Sequence, residues 1–222
     1  MLKMKTPKKL IVFDIDGTLT NSVTLYHSVV IRCLNLMGIK EVDTDFSGYK
    51  YHTDSYGLKW NYENNFNKPY DRSLLKEFED LIYNELSKHP PVSEIAGAKN
   101  CVNDLLDANC GVAFATGSLL RPAKLKLDQC EIWYEEGLIA TSSISFDRET
   151  FVLQAIENAK KFFNIEEFDK IYSIGDGVWD METAKKLGLT FIGIGKPHKE
   201  KLIAKGCSVY FDDLSELASY LI

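Results

Sequence analysis

The sequence predicts an α/β protein with a mainly parallel sheet and a helical module inserted early in the chain. From residue 98 onward, short apolar runs alternate with amphipathic stretches, the pattern of β–α–β units joined by right-handed crossovers. One further apolar run, at 10–13, lies ahead of a largely helical stretch that ends at Pro90-Pro91. The first strand therefore precedes the insertion, and the remaining strands follow it.

Length, composition and charge are those of an ordinary globular protein: 222 residues, 45% hydrophobic and 26% charged. The net charge of -6 argues against a nucleic-acid or anionic-membrane partner, and no apolar stretch has the length of a membrane span. The apolar run at 10–13 is also too short for the core of a signal peptide. Five scattered cysteines without a Cys-x-x-Cys pair indicate reduced thiols, so we expect a cytoplasmic protein.

The inserted stretch contains two predicted helices that flank a segment without clear periodicity. Residues 22–37 form the first helix, because apolar residues recur every four positions and Gly38 supplies a stop signal. Residues 43–71 are polar and rich in asparagine, glycine and aromatic residues, with no helical or strand period. The second helix covers 73–86 and gives way to the proline pair, which acts as a stiff linker.

Beyond the linker, strands and helices alternate. The predicted strands are 111–115, 138–144, 171–174, 189–194 and 208–211. The predicted helices are 98–109, 121–130, 148–163, 181–187 and 214–221. Because open α/β sheets bind ligands at the carboxyl ends of their strands, polar residues that directly follow a strand are the candidates for a functional site.

Two carboxylates directly follow the first strand. The buried run ends at Asp14, and Asp16 lies two positions further on, so both point to one side if the strand continues that far. Carboxylates this close repel each other unless a cation or a shared proton offsets their charge. Gly17 then lets the chain turn sharply. The alternative is that Asp14 merely ends a strand and that Asp16-Gly17 is an ordinary turn.

A hydroxyl and a glycine follow the strand at 111–115. Thr116 and Gly117 precede a predicted helix, where exposed backbone N–H groups and the positive end of the helix macrodipole favour an anion such as phosphate. The alternative is a plain N-cap, in which a hydroxyl residue of this loop only caps the helix.

A basic residue begins the helix predicted at 148–163. Asp147 is the expected N-cap, so Arg148 lies in the first turn, where the helix macrodipole disfavours a cation. This placement makes sense if the helix end and Arg148 both point at an anion. The alternative is a solvated surface arginine.

A second pair of carboxylates, in the run Gly-Asp-Gly-Val-Trp-Asp at 175–180, follows the strand at 171–174. If the next helix begins here, Asp176 and Asp180 share one face, where like charges destabilise an isolated helix by roughly 0.2–0.5 kcal/mol. A divalent cation would offset this repulsion, because hard cations prefer carboxylate oxygens. The alternative, an Asp N-cap with a second acid in the first turn, explains either residue singly but not the glycines that flank Asp176.

Taken in order, Asp-x-Asp-Gly-Thr, Thr-Gly, a basic residue at a helix start and Gly-Asp-x-x-x-Asp resemble the complete motif set of the haloacid dehalogenase-like (HAD) superfamily. The resemblance implies a three-layer, Rossmann-like core domain made of residues 1–20 and 91–222. It also implies a helical cap domain, residues 21–90, inserted between the first and second motifs, as in the phosphoglycolate phosphatase-like and β-phosphoglucomutase-like branch.

Two details of the resemblance concern particular residues. His52-Thr53-Asp54 is loosely similar to a Thr-Asp element in the caps of phosphoglycolate phosphatase-like members. The third motif of the family is usually a lysine, often followed by proline, whereas Arg148-Glu149 stands here. An arginine supplies the same charge and can bind phosphate through two hydrogen bonds.

The resemblance also implies a role for each motif. Asp14 is the expected nucleophile toward phosphorus, and Asp16 is the expected general acid and base. The expected ligands of a Mg²⁺ cofactor are Asp14, Asp16 (through its backbone carbonyl), Asp176 and Asp180. The expected phosphate-binding residues are Thr116, Gly117 and Arg148.

These roles favour a Mg²⁺-dependent phosphatase that hydrolyses a small phosphorylated metabolite through an aspartyl-phosphate intermediate. A phosphomutase shares every core motif and stays open as an alternative, as does a binding protein that has kept the fold without turnover. A dehalogenase is disfavoured, because that chemistry does without the second aspartate, present here as Asp16. We expect a monomer or homodimer with neither nucleic acid nor a membrane as partner.

Overall fold

The computed structural model describes residues 6–46 and 48–222, and within these ranges the chain forms six strands and nine α-helices. The strands are β1 (Lys9–Phe13), β2 (Gly111–Thr116), β3 (Ile139–Thr141), β4 (Lys170–Gly175), β5 (Thr190–Ile194) and β6 (Tyr210–Phe211). The helices are α1 (Val23–Leu36), α2 (Asp54–Phe66), α3 (Leu74–Leu86), α4 (Ala98–Asp107), α5 (Leu120–Gln129), α6 (Arg148–Phe163), α7 (Val178–Lys186), α8 (Lys199–Ala204) and α9 (Leu217–Leu221).

The strands form one parallel sheet in the order β3-β2-β1-β4-β5-β6. Phe13 of β1 pairs with Phe114 of β2 on one side and with Ile174 of β4 on the other, so the carboxyl ends of these three strands are level. The strand order reverses beside β1, which is where open α/β sheets form a ligand-binding crevice. The predicted parallel α/β sheet is confirmed.

Side chains of β1 alternate between two hydrophobic layers, as strand geometry requires. Ile11 and Phe13 pack in a cluster that includes residues of α4 and α9. Leu10 and Val12 pack on the opposite face against residues of α6. The sheet therefore lies between two helical layers, and the predicted three-layer core is confirmed.

Three of the four helices between β1 and β2, namely α1, α2 and α3, have a hydrophobic cluster of their own. Its fully buried members include Leu34, Leu58, Phe78 and Ile82. Leu119, just before α5, is buried in the same cluster, so α1, α2 and α3 rest on the loop that follows β2. The division of the chain into domains at residues 20 and 91 stays a prediction.

Helix α2 lies in the segment where the sequence shows no periodicity, so the expectation of an irregular segment is wrong there. Most of its buried residues are small or polar, which hides the helical period: Ser55, Gly57, Leu58 and Asn61. Thr53 caps this helix, because its side chain accepts a hydrogen bond from the N–H of Tyr56 at 3.4 Å.

Three other boundaries differ from the prediction by three residues, and α8 was not predicted. Strand β3 is shorter than the run at 138–144, because the chain turns after Thr141. Helix α7 begins at Val178 instead of 181, because Asp180 accepts a hydrogen bond from the N–H of Gly177 and so starts the helix earlier. Helix α9 begins at Leu217 instead of 214. Across 6–46 and 48–222, no helix combines the length and apolar character that crossing a bilayer requires.

Candidate active site

The ends of β1, β2 and β4 bring the predicted site residues to one edge of the sheet. Asp14 follows β1, Thr116 ends β2, and Asp176 follows β4. The N–H of Asp14 donates to the carbonyl of Ile174 at 2.9 Å, which extends the pairing of β1 with β4. Carboxylate oxygens of Asp14, Asp176 and Asp180, all buried, lie within 4.8 Å of one another. We call these three side chains the aspartate cluster.

Two glycines, Gly17 and Gly175, leave the space that the carboxylates of the aspartate cluster occupy. Gly17 has a φ of +80°, and a Cβ at this position would overlap Oδ2 of Asp176. A Cβ at Gly175 would overlap the carboxyl group of Asp180. Because only glycine lacks a Cβ, these positions let the backbone approach the carboxylates closely.

Asp176 and Asp180 do not share a helix face, so that part of the prediction is wrong. Helix α7 begins at Val178, and Asp176 lies in the loop before it. Asp180 lies in the first turn, and its Oδ2 accepts a hydrogen bond from the N–H of Gly177 at 3.1 Å. The loop therefore turns both carboxylates toward Asp14.

Burial and mutual repulsion raise the pKa of each carboxyl group in the aspartate cluster. Burial raises the pKa of Asp14 well above its ordinary value, and repulsion from Asp180 adds to this, although Arg148 opposes it. The same causes raise the pKa of Asp176 to about 8. Burial also raises the pKa of Asp180. Three carboxylates thus share one neighbouring guanidinium, and the cluster favours a further positive charge.

The donor set of the aspartate cluster suits a hard divalent cation. Mg²⁺ binds oxygens at 2.0–2.1 Å, so ligands on opposite sides of the ion lie about 4.2 Å apart. The spacing of at most 4.8 Å in the cluster approaches this value. A bound cation would also offset the repulsion among the carboxylates. Asp14, Asp176 and Asp180 therefore fit the predicted Mg²⁺ site, whereas their role as ligands and that of the Asp16 carbonyl stay predictions.

Arg148 points into the site from the first turn of α6. Asp147 caps this helix as predicted, because its side chain accepts hydrogen bonds from the N–H groups of Glu149 and Thr150. One nitrogen of Arg148, Nη1, lies 2.7 Å from Oδ1 of Asp180 and 3.2 Å from Oδ1 of Asp14. The side chain is only 11% exposed, so the alternative of a solvated surface arginine is wrong.

The carboxylate of Asp16 is held by Lys126 of α5. Nζ of Lys126 lies 2.6 Å from both carboxylate oxygens, and the hydroxyl of Ser118 donates to Oδ2 at 2.7 Å. Lys126 is fully buried, and its ammonium group lies 3.5 Å from the centre of the Tyr26 ring. Burial by itself would raise the pKa of Asp16. The charge of Lys126 and the hydrogen bonds that Asp16 accepts from Lys126, Ser22 and Ser118 bring this pKa below its ordinary value. Asp16 is therefore an ionised carboxylate paired with a buried ammonium group.

Lys126 was missed at the level of the sequence, because a lysine in a helix usually has its ammonium group in water. The positions of the buried residues along α5 do indicate that Lys126 is buried. Lys126 follows the buried Ala123 by three positions and precedes Leu127, so it lies on the apolar face of the helix. A charged residue on a buried face needs a partner of opposite charge.

Replacing Lys126 with methionine is expected to lower the free energy of unfolding by about 3–5 kcal/mol, because it leaves a charged Asp16 without its buried partner. Urea denaturation measures this loss. Adding Asp16→Asn to Lys126→Met is expected to recover part of it, since the unpaired charge is then removed. Lys124→Met is the matched control, because Lys124 pairs with the exposed Glu136 and should change stability by less than about 1 kcal/mol. Equal losses for Lys124→Met and Lys126→Met would contradict the prediction.

Thr116 and Gly117 line the site beside Asp14, in the loop that follows β2. The hydroxyl of Thr116 accepts a hydrogen bond from the N–H of Ser118 at 3.1 Å, inside the loop. A Cβ at Gly117 would lie 2.7 Å from the carbonyl oxygen of His52, so only glycine allows the inserted segment to come this close. Their binding of phosphate stays a prediction.

Asp54, the first residue of α2, connects the inserted helices to the loop after β2. Its N–H donates to the carbonyl of Gly117 at 2.9 Å. Its Oδ2 accepts hydrogen bonds from the N–H of Leu119 at 3.0 Å and from the hydroxyl of Tyr26. Burial raises the pKa of Asp54 to about 6. The Thr-Asp similarity noted in the sequence thus falls on residues that join the two parts of the chain.

A cavity of about 410 Å³ lies between the sheet edge and the inserted helices, a size suited to a small ligand. Six predicted site residues line it: Asp14, Asp16, Thr116, Gly117, Arg148 and Asp176. On one side the ring of Trp179 stacks on that of His52, with 4.8 Å between centroids, and meets the ring of His198 edge-on at 5.6 Å. These three rings connect the inserted segment to the core, and the sequence pattern did not indicate them.

A family model described as haloacid dehalogenase-like hydrolase matches residues 11–194. The chain belongs to this family. The match covers the aspartate cluster, Arg148 and Lys126, and most of the sheet. Membership confirms the predicted family and the prediction that this HAD-like hydrolase is an enzyme.

Solved structures share the fold of this HAD-like hydrolase. An HAD hydrolase of family IA, variant 3, from Entamoeba histolytica is 20% identical, with a TM-score of 0.70 over 94% of each chain. CbbY from Rhodobacter sphaeroides, solved in complex with phosphate, is 14% identical, with a TM-score of 0.69 over 94% of this chain and 95% of that one. A putative beta-phosphoglucomutase from Bacteroides vulgatus is 15% identical, with a TM-score of 0.69 over 98% of this chain and 88% of that one. No curated protein matches the sequence closely enough to count as a relative.

Proposed function

We propose that this HAD-like hydrolase is a Mg²⁺-dependent phosphatase of a small phosphorylated metabolite and forms an aspartyl-phosphate on Asp14. The observation that carries the proposal is the aspartate cluster beside Arg148, with Asp14, Asp176 and Arg148 on the wall of a cavity of about 410 Å³. The phosphate bound in the structure of CbbY, a protein of the same fold, supports a phosphorylated substrate. Mg²⁺, when bound by the aspartate cluster, would neutralise charge between the nucleophile and the phosphate dianion.

Asp14 is the nucleophile in this proposal. Its carboxylate lies at the end of β1, near Arg148 and within 3.4 Å of the hydroxyl of Thr18, which fixes its position. One oxygen attacks phosphorus while the bond from phosphorus to the leaving oxygen breaks, which gives the aspartyl-phosphate. Water then attacks this phosphorus, releases inorganic phosphate and restores the carboxylate.

Arg148, Thr116 and Gly117 hold the oxygens of the phosphoryl group. Arg148 already lies between two carboxylates, and its remaining donors are available for a phosphate oxygen. The positive charge of Arg148 offsets the repulsion between the phosphate dianion and Asp14. Thr116 and Gly117 complete the wall on the side of β2.

Asp16 moves the protons in both steps. Lys126 holds Asp16 as a carboxylate, the form that accepts a proton from the attacking water. In the first step the ammonium group of Lys126 supplies a proton, which Asp16 passes to the leaving alkoxide. In the second step Asp16 takes a proton from the attacking water and returns it to Lys126. Asp16 and Lys126 thus end each cycle in the protonation state in which they began.

The proposal includes a cytoplasmic location, which is supported by the five cysteines, all of them free thiols. The net charge of -6 supports a small substrate over a nucleic acid. Whether the protein is a monomer or a homodimer stays a prediction.

Phosphate release from 4-nitrophenyl phosphate and from a panel of phosphorylated metabolites tests the proposal. With Mg²⁺ we expect turnover, and excess EDTA should lower it by at least about ten-fold, since the cation neutralises developing charge. Added Mg²⁺ should restore the rate. Turnover that EDTA leaves unchanged would remove the metal from the proposal. Isomerised sugar phosphate without release of phosphate would instead identify a phosphomutase.

A further inference from the structure

The wall that the inserted segment contributes to the cavity has an apolar and aromatic part. Val23, Val30, Phe46 and Tyr49 line it. The ring of Phe46 stacks on that of His27, with 3.8 Å between centroids and 25° between planes. The ring of Tyr49 meets Phe46 edge-on at 4.9 Å. Because Asp14 and Asp176 lie on the core wall of the same cavity, the leaving group of an ester bound at Asp14 would lie toward these side chains.

The cavity has little positive charge with which to bind a second anionic group. Among the described residues that line it, Arg148 is the single lysine or arginine, and Asp14 and Asp180 already contact it. The inserted segment adds two further carboxyl groups to the lining, those of Asp45 and Asp54. A second phosphate or carboxylate would lose water on entering and meet carboxyl groups instead of cations.

The two histidines that the inserted segment contributes to the lining, His27 and His52, add little to this charge. Burial lowers the pKa of His27, and burial together with Arg148 lowers the pKa of His52. Both are therefore mainly neutral at pH 7. His198 lies on the core side, with Nδ1 3.7 Å from Oδ2 of Asp176, and does not belong to the wall of the inserted segment.

Phe46 has an uncommon backbone conformation. Its φ is +58°, in the left-handed region that large side chains rarely occupy. Such conformations persist only where the surrounding structure fixes them, and they concentrate at ligand contacts. In this conformation the ring of Phe46 lies on that of His27 in the cavity wall.

We propose that the substrate is a phosphate monoester whose leaving group carries no negative charge and has an apolar or aromatic face, and that Phe46 selects for this face. The inference rests on the proposed phosphatase function. Val23, Val30 and Tyr49 complete the apolar surface around Phe46. Among the described residues, the inserted segment adds no lysine or arginine to the lining, which disfavours bisphosphates and carboxylated esters.

Three esters test this inference with the full chain and Mg²⁺: benzyl phosphate, 4-carboxybenzyl phosphate and methyl phosphate. The first two share the reacting bond and the ring and differ by one distant negative charge. We expect kcat/KM for benzyl phosphate to exceed that for each of the other two by at least about ten-fold, the discrimination expected of an apolar pocket.

Phe46→Ala identifies the residue responsible. It is expected to lower kcat/KM for benzyl phosphate by about ten-fold and to change that for methyl phosphate by less than about two-fold, because methyl phosphate has no ring to lose contact. Phe66→Ala is the matched control, since Phe66 lies on α2, is partly exposed and does not line the cavity. Phe46→Leu keeps an apolar side chain and should keep most of the preference, so a loss with Phe46→Ala but not with Phe46→Leu assigns the preference to the apolar face.

Val23→Lys tests the role of charge. Val23 is 49% exposed at the start of α1, so a lysine fits there and brings an ammonium group to the cavity. We expect this variant to raise kcat/KM for 4-carboxybenzyl phosphate relative to benzyl phosphate.

The outcomes separate the two proposals. No phosphate release from any ester would overturn the phosphatase function and, with it, this inference. Release with kcat/KM for 4-carboxybenzyl phosphate equal to or above that for benzyl phosphate would overturn the inference and leave the phosphatase function standing. Equal effects of Phe46→Ala and Phe66→Ala on the benzyl ester would show that Phe46 does not select the leaving group.

Discussion

Replacing Asp14 with asparagine is expected to lower kcat by about 10⁴-fold while the protein stays folded. Asparagine has nearly the size of aspartate, but its neutral amide is a poor nucleophile, so no aspartyl-phosphate can form. The rate of phosphate release from an aryl phosphate at saturating Mg²⁺ measures the loss. Asp104→Asn, on the exposed side of α4, is the matched control and should keep the wild-type rate.

The same substitution is expected to raise the melting temperature of the protein in EDTA at neutral pH. The folded state raises the pKa of Asp14 above its ordinary value of 3.8. Its contribution to stability is therefore present below pH 3.8 and is lost as the pH rises through the higher folded-state pKa. Asparagine does not ionise, so the variant does not lose this stability as the pH rises. An inactive Asp14→Asn variant that melts earlier than wild type would mean that activity was lost through unfolding.

The core could be predicted from the sequence because its signals are local. The apolar run of β1 alternates between two buried layers, and the periodic apolar face of α6 marks its length and its cap at Asp147. Helix α2 has no such signal, because Gly57 and Asn61 occupy its buried face. Asn61 is satisfied there by a hydrogen bond to the carbonyl of Gly57 at 2.8 Å, a partner that no hydrophobic pattern records.

The aspartate cluster could be predicted because Asp14 and Asp176 directly follow strands and Asp180 lies in the first turn of the next helix, and parallel strands end at one edge of the sheet. Lys126 could not be placed in this way, since it lies 110 residues from Asp16 and pairs with it only through the packing of α5. The contacts of Asp54 with the loop after β2 depend in the same way on how the inserted helices rest on Leu119. Sequence motifs thus locate the reacting groups, whereas packing decides what holds them.

Replacing Arg148 with alanine is expected to lower kcat/KM for an aryl phosphate by about 10²–10³-fold, the usual effect of removing one group that stabilises charge in the transition state. The variant loses the guanidinium that contacts Asp14 and Asp180. Arg148→Lys introduces lysine, the residue type usual at the third motif. This variant keeps the positive charge but loses the ability of the guanidinium to form two parallel hydrogen bonds. We therefore expect its kcat/KM to lie between those of wild type and Arg148→Ala.

Inhibition by inorganic phosphate distinguishes phosphate binding from a purely structural role of Arg148. If Arg148 binds the phosphoryl group, Arg148→Ala should weaken inhibition by inorganic phosphate and also lower kcat/KM. Arg148→Lys should then show stronger inhibition and a higher kcat/KM than Arg148→Ala. Arg32→Ala, which removes an exposed arginine on α1 that pairs with Glu85, should change neither. Near-wild-type kinetics of Arg148→Ala would show that another group binds the phosphate. Lys126 is then a poor substitute, because its ammonium group is fully buried and already bound to Asp16, Ser118 and the ring of Tyr26.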